Sequence, residues 1–392
     1  MARKTWQTKA DWQAGIAENL EITDAGVKLA RPEPAQFTRA SEAYKSDGTL
    51  VASGQPRYEG AGVLIEQGTT NLLGANGFLD TDGNADGIAN GFFAYVTGAA
   101  TGTRSMDTTE RALGRARCQK IVRTGGAEAD RFGIQHPVIN VAVPHAVKAL
   151  VKGQVDAGAK IRLRVSYYKT GGGWTEDQNV WIEPSGDWQE ISVPLSANPE
   201  SLRADYYITI EGGNGTLWIQ AIQTENKSYN TSWINGTRSP ETISVTVPFT
   251  PQQGGEISFR VDINDACKRQ VVGKYPMLLQ ILRSIGGIGF ELCHLPTSAN
   301  FKLETVDDAG AKSTVTFADS LIPNGTRELK IDITSDFVTL YCDGQPIAQI
   351  GNGTPETKPK LPSGWGRAFL GSSASGTNQA GTTVGNLRMV VG

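Results

Sequence analysis

The sequence predicts an all-β chain: tandem antiparallel β-sandwiches of the jelly-roll type, preceded by an N-terminal arm or small β-subdomain. Three observations predict it. Apolar and polar residues alternate with a period of two along most of the chain, glycine-bearing turns separate the alternating stretches, and no comparable helical periodicity intervenes. The 46 glycines are scattered among short apolar runs, which suits many tight turns and excludes a collagen repeat.

Residues 160–169, KIRLRVSYYK, give the cleanest element. Ile161, Leu163, Val165 and Tyr167 fall on one side, and Arg162, Arg164, Ser166 and Tyr168 on the other, so this is a half-buried strand. DYYITIEGG turns Tyr206, Ile208 and Ile210 inward, and TLWIQAIQ follows a Gly-Asn-Gly turn at 213–215, so 205–223 reads as a hairpin. A second strand-rich block opens near Thr242 with TISVTVPF and continues through EISFRVDI and ELKIDIT. FVTLYCDGQPIAQI is a hairpin with Asp343-Gly344 at its turn, and TTVGNLRMVVG is a last strand. Only 139–150 and 264–284 have weak helical character.

With 392 residues, the chain is long enough for two or three domains at roughly 100–200 residues each. The expected divisions are 1–61, an arm or lead-in segment; 62–238, a first sandwich; and 239–392, a second. The polar, turn-rich NTSWINGTRSP at 230–240 marks the boundary between the sandwiches. In the arm, Trp6 and Trp12 sit in polar surroundings, which makes them candidates for docking to a neighbouring subunit in assembly. On that reading the arm could be removed with both sandwiches left folded.

Composition excludes several classes. A net charge of −3 and the lack of a basic stripe argue against nucleic acid as a partner. No run of about 18 apolar residues is present to span a membrane. The opening MARKTWQTKADWQ lacks the apolar stretch of a signal peptide, so synthesis in a cytoplasm without export by that route is expected. Cys118, Cys267, Cys293 and Cys342 show no paired spacing and are read as buried free thiols.

Chemistry-bearing clusters are few. The loop Asp80-Thr81-Asp82-Gly83-Asn84-Ala85-Asp86-Gly87 sets oxygen ligands at alternate positions, the pattern of a calcium-holding turn, with Asp80, Asp82, Asn84 and Asp86 as ligands. Counted from Asp82, the twelfth position is Phe93 rather than Glu, so an EF-hand is ruled out; the alternative is a solvated Asp/Asn turn. Trp174 lies in GGGWTEDQN, read as a loop, beside Glu176 and Asp177 and near Tyr168. An exposed indole flanked by carboxylates is a platform on which a sugar ring stacks while its hydroxyls are hydrogen-bonded. Trp181 and Trp188 are read as core residues of neighbouring strands.

Catalysis is not expected. A glycosidase needs two carboxyl groups roughly 5–10 Å apart. No clear strand carries a Glu/Asp-x-Glu/Asp pair, Glu256 and Asp262 stand about 20 Å apart by strand rise, and pairs from separate strands stay open at this level. His136, His145 and His294 form no motif with a nucleophile, and neither a GxSxG elbow nor a phosphate-binding loop occurs.

Residues 37–73, FTRASEAYKSDGTLVASGQPRYEGAGVLIEQGTTNLL, resemble a lead-in segment of phage tail and virion proteins. The matching residues are Phe37, Arg39, Ala40, Ser41, Asp47, Gly48, Pro56, Arg57, Tyr58, Glu59, Leu64, Ile65, Glu66, Thr70, Asn71 and Leu72. NLLGANGFLDTDGNADGIANGF, 71–92, is similar to the opening of carbohydrate-binding-module-like jelly rolls of the galactose-binding type, and IQTENKSYNTSWINGTR to their exit. Residues 241–392, with LYCDGQPIA, LGSSASGT and VGNLRMV, resemble a laminin-G/concanavalin-like sandwich. These resemblances imply a non-enzymatic structural protein of a bacteriophage virion, as head decoration, collar or tail/fibre appendage. Its implied partners are other virion proteins, further copies of itself and host-surface glycans, and its implied location is the particle. A carbohydrate-binding protein outside particles, or a polysaccharide-degrading enzyme, is the alternative.

Overall fold

A computed structural model describes residues 23–24, 27–28, 36–45, 48–59, 62–66, 68–140, 145–169, 173–193, 201–227, 230–247, 249–268, 275–352, 354, 357–375 and 382–391. Trp6 and Trp12, the candidate assembly residues, lie outside these. The fold is all-β: among the described residues, helix is confined to short turns such as Asp265–Lys268, and no helix is long and apolar enough to cross a membrane. Two compact units form, one from residues 42–50 and 69–238, the other from 1–41, 51–68 and 239–392.

The first unit stacks two five-stranded antiparallel sheets. One runs in the order Thr101–Asp107, Cys118–Gly125, Gly215–Glu225, Ala146–Val155, Gln189–Val193. The other runs Trp174–Ile182, Lys160–Lys169, Ser201–Glu211, Phe132–Asn140, Phe93–Val96. The core between them includes Ile121, Ile134, Val151, Ile161, Leu163, Val165, Ile208, Ile210 and Ile219. That set is the one the period-two reading assigned inward for 160–169 and 205–210.

His145 is buried in this unit, with the Tyr167 hydroxyl 3.2 Å from its Nε2. Burial pulls its pKa down to about 4. The folded value lies below the unfolded one of about 6.5, so the ring folds neutral. Its contribution is complete above pH 6.5 and is lost as pH falls toward 4, amounting to roughly 3 kcal/mol. Urea unfolding of the intact chain and of His145→Gln at matched pH values checks this. Acid loss between pH 6.5 and 4 is expected to be shallower in the variant, and equal slopes would refute the assignment.

The second unit pairs two seven-stranded antiparallel sheets. One runs Lys312–Ala318, Asn300–Val306, Ile288–His294, Met277–Arg283, Trp365–Leu370, Thr242–Thr246, Gln36–Thr38. The other runs Gln345–Ile350, Val338–Cys342, Gly325–Ile333, Gly255–Ile263, Thr382–Val391, Gly62–Ile65, Tyr58–Glu59. Ile257, Phe259, Val261, Phe290, Leu292, Leu303, Leu329, Ile331 and Leu340 fill the space between them. The four cysteines are buried thiols, none of them in a disulfide.

The expected arm is therefore corrected in its described part. Gln36–Thr38 and Tyr58–Glu59 are edge strands of this unit, and 62–68 joins it rather than the first sandwich. The physical reason is that Phe37 and Tyr58 pack at the rim of the second core, in strands too short to show alternation.

The lead-in is held by charge as well as by strand pairing. Arg39, Arg57 and Glu241 are almost completely buried, and Glu66 nearly so. Arg57 donates from Nε to Glu241 Oε1 at 2.9 Å and from Nη2 to Glu66 Oε2 at 2.6 Å, and Arg39 Nη1 donates to Glu241 Oε1 at 2.8 Å. The Glu66 amide donates to Glu241 Oε2 at 2.9 Å. Burial works against the Arg57 charge, but Glu66 and Glu241 outweigh it and hold its pKa above the ordinary arginine value. Removing one member of such a buried cluster strands the others without compensation. Glu241→Ala is expected to cost about 3–5 kcal/mol, read by denaturant unfolding. A loss under about 1 kcal/mol would mean that water already solvates the cluster.

Candidate functional site

Because Ile161, Leu163, Val165 and Tyr167 enter the core, Arg162, Arg164, Ser166 and Tyr168 line the outer face of the second five-stranded sheet. Strand register extends that face sideways. Trp181, Arg162, Thr209, Gly133 and Tyr95 form one row across the five strands, and Asn179, Arg164, Tyr207, Gln135 and Phe93 the next. Trp181 is 45% exposed and Phe93 54%.

These side chains are fixed against one another. The Arg162 guanidinium lies 4.7 Å from the Trp181 ring centre, donates from Nε to Asn179 Oδ1 at 2.7 Å, and from Nη1 to Glu211 Oε1 at 3.2 Å. Glu211 also accepts the Thr209 hydroxyl at 2.9 Å and stands 3.3 Å from Arg131 Nε. The Tyr207 ring meets Tyr95 edge-on at 4.6 Å and the Arg164 guanidinium at 5.1 Å. The Tyr168 and Tyr207 hydroxyls each donate to Asp205 Oδ2 at 3.1 Å. Burial, and then the Asp205 charge, raise the pKa of both phenols, so they stay protonated donors.

Where this face meets the connections at one end of the sheet, a groove of about 390 Å³ opens. Trp181, Lys160, Glu211, Glu128, Gly158 and Gly212 line it. It offers an exposed indole, a cationic donor and two carboxylates around one small concavity, a composition that suits a hydroxyl-rich ring.

The sequence-predicted platform lies on the same two strands but at their other end, about 20 Å from the groove. Trp174 is not in a loop: Trp174–Ile182 is an edge strand, paired so that Trp174 faces Tyr168, Glu176 faces Tyr167 and Asp177 faces Ser166 in register. Tyr168 lies on the outer face, while the side chains of Trp174, Glu176 and Asp177 lie outside the described residues. Trp181, expected in the core, is the exposed aromatic. The signal was present in its neighbours: Val180 and Ile182 pack against the core, so the residue between them faces away. Trp188 is partly buried against the small cluster of Tyr44, Phe78, Leu150, Ala221 and Trp233.

The Asp-rich loop is organised by its own hydrogen bonds. Asp80 Oδ2 accepts Arg115 Nε at 2.7 Å, Asp82 Oδ2 accepts the Gly87 amide at 3.0 Å, Asp86 Oδ1 accepts the Ile88 amide at 2.8 Å, and Asn84 Nδ2 donates to Asp86 Oδ2 at 2.9 Å. Asp80 is thus committed to an arginine, which separates it from Asp82, Asn84 and Asp86 as a ligand. Among the described residues, no three His, Cys, Asp or Glu side chains gather as a metal site.

In the second unit, carboxylates from separate strands meet as cross-strand partners at Glu256 and Asp332, bridged by Lys330 at 3.7 and 2.9 Å, and at Glu291 and Glu304. Glu291 and Glu304 are direct cross-strand partners, the arrangement that sets Cβ atoms about 4.5–5.5 Å apart. Lys302 Nζ bridges them, 3.0 Å from Glu291 and 3.3 Å from Glu304, and Gln280 Nε2 donates to Glu291 at 2.9 Å. Burial would raise the Glu304 carboxyl, but Lys312, Lys302 and Thr314 outweigh it and hold it below the usual range. A general acid needs the opposite shift.

No family model matches the sequence, and no curated protein matches it. Three of the solved structures similar to part of the chain are as follows. The family 11 carbohydrate-binding module of cellulosomal cellulase Lic26A-Cel5E of Clostridium thermocellum is 11% identical, covers 38% of this chain and 92% of its own, and gives a TM-score of 0.29. The enzymatically active domain of tailspike protein 4 of bacteriophage CBA120 is 11% identical over 37% of this chain and 21% of its own, at 0.30. The CBM22-1 xylan-binding domain of Xyn10C from Paenibacillus barcinonensis is 13% identical over 43% and 97%, at 0.28. At these scores the likenesses carry no functional weight, and the site's own chemistry has to do so.

Proposed function

We propose that this chain is a non-enzymatic structural and adhesion protein of a bacteriophage particle. It holds host-surface glycans on the outer face of its five-stranded unit. The observation that carries the adhesion reading is Trp181: a half-exposed indole, backed on Arg162, at the mouth of a groove that also presents Lys160, Glu128 and Glu211. Fixed donors and acceptors around an exposed aromatic suit a sugar, whose C–H face stacks while its hydroxyls replace water.

The virion role is supported by the lead-in phrases, whose Arg39, Arg57 and Glu66 turn out to be partners in a single buried cluster with Glu241. A phrase that matches at the residues doing structural work is better evidence of shared construction than one that matches on the surface. Recognition without cleavage is supported at the groove itself by Glu211, which is held between Arg162 at 3.2 Å and Arg131 at 3.3 Å.

The test is an array of bacterial capsular and O-antigen polysaccharides probed with the full chain, with antibody labelling of purified phage particles beside it. Binding to at least one polysaccharide without release of reducing ends, and labelling of particles, are the expected results. Silence across the array removes the adhesion reading, released reducing ends remove the non-enzymatic one, and unlabelled particles remove the virion role.

A further inference from the structure

Resting on the glycan reading above, we infer that the outer face of the five-stranded unit selects an acidic polysaccharide, one carrying carboxylate or phosphodiester groups, over a neutral one. The chain as a whole is slightly acidic, with a net charge of −3, yet cations gather around Trp181. Lys160, Arg162 and Arg164 occupy alternate positions of one strand, so all three lie on its outer face at steps of about 6.5–7 Å. Arg131 joins them from the residue before Phe132–Asn140, 3.3 Å from Glu211. Beside these cations stand Glu211, the cross-strand partner of Lys160, and the highly exposed Glu183, 3.9 Å from Lys160.

The carboxylates within the face are already occupied. Glu211 is shared by Arg162 at 3.2 Å and Arg131, and it also accepts the Thr209 hydroxyl. Asp205, one row beyond Arg164, accepts the Tyr168 and Tyr207 hydroxyls. Two guanidinium groups thus share one carboxylate. Burial lowers the Arg162 pKa; Glu211 opposes this, while Arg131 and Arg164 add to it by repulsion. An additional anion would relieve that repulsion. What remains for a ligand beside Trp181 is weighted toward N–H donors, led by the half-exposed Lys160 and the partly exposed Arg131. A sugar hydroxyl both donates and accepts, whereas a carboxylate or phosphodiester only accepts. The planar guanidinium fork matches either anion.

Glu128, exposed on the groove's rim, gives the test its sign. Beside a neutral sugar it is an acceptor, and its loss weakens binding. Beside an anion it repels, and its loss strengthens binding.

The full chain is titrated calorimetrically with three probes: a hexuronate-containing capsular polysaccharide, the same polymer after reduction of its carboxyl groups to alcohols, and poly(glycerol phosphate). Binding of the native capsule about tenfold more tightly than its reduced form assigns carboxylate as the selected group. Binding of poly(glycerol phosphate) assigns phosphodiester. With either ligand, affinity falls as salt rises, Lys160→Gln weakens binding about threefold, and Glu128→Gln strengthens it by a similar factor. Both substituted side chains are exposed enough for the variants to keep the fold. Equal binding of native and reduced capsule with none of poly(glycerol phosphate), binding confined to neutral polysaccharides of the array, or weaker binding by Glu128→Gln overturns the inference and leaves the glycan reading in place. No binding to any polymer, on the array or in the calorimeter, overturns both.

Discussion

A chain lacking residues 1–61 is expected to lose the cooperative unfolding of its seven-stranded unit. The deletion removes Gln36–Thr38 and Tyr58–Glu59, the edge strands of both sheets, together with Phe37 and Tyr58 at the rim of the core. It also removes Arg39 and Arg57, which leaves Glu241 and Glu66 buried without their cations. Breaking a buried pair costs about 3–5 kcal/mol by itself. A domain's whole stability is about 5–15 kcal/mol, so the ionic loss and the lost strands together approach all of it. The five-stranded unit is affected less but not spared. Tyr44, buried 5.4 Å from the Phe78 ring, accepts a hydrogen bond from Arg115 Nη1 at 3.2 Å and goes with the deletion. Calorimetry and limited proteolysis check the prediction. A deletion protein that melts like the intact chain would restore the detachable arm that composition suggested, and Glu241→Ala then becomes the decisive variant for the cluster.

What was legible in the sequence follows from what a period of two can report. Lys160–Lys169 and Ser201–Glu211 alternate over ten and eleven residues, and their inward sets are the ones found in the core. Strands of two or three residues carry no period, so Gln36–Thr38 and Tyr58–Glu59 read only as part of an arm or small β-subdomain, and that segment read as separable. Trp174 and its acidic neighbours read as loop from the glycines before them, but the strand begins at Trp174 and not after Asp177. Trp181 was misplaced because a large aromatic is so often core that its identity outweighed the parity set by Val180 and Ile182. Cross-strand facts were out of reach in principle. That Glu291 opposes Glu304, or that Arg57 finds Glu241 after 184 residues, depends on register and topology that alternation within one strand does not encode.

Trp181→Ala is expected to abolish most glycan binding at little cost in stability, and this asymmetry is what separates a binding residue from a structural one. Nearly half of the side chain is exposed, so its removal forfeits little buried area. The lost contact with Arg162, itself buried, is a cation–π pair worth about 1–2 kcal/mol, and Arg162 keeps Asn179 and Glu211 as partners. The affinity loss should be larger. An aromatic anchor at the centre of a small site characteristically carries 2 kcal/mol or more, about thirtyfold in Kd. Trp181→Phe retains a stacking face and should recover part of that loss. Tyr168→Phe, farther along the same face, tests whether the Asp205-bound hydroxyl contributes, since it removes one donor at 3.1 Å and leaves the ring in place. Calorimetric titration with the polysaccharide found on the array, run beside thermal unfolding of each variant, reads both quantities. If Trp181→Ala binds as tightly as the intact chain, the outer face is not the glycan site. If it unfolds several degrees earlier and binds normally below that temperature, Trp181 is a packing residue, as its type alone had suggested.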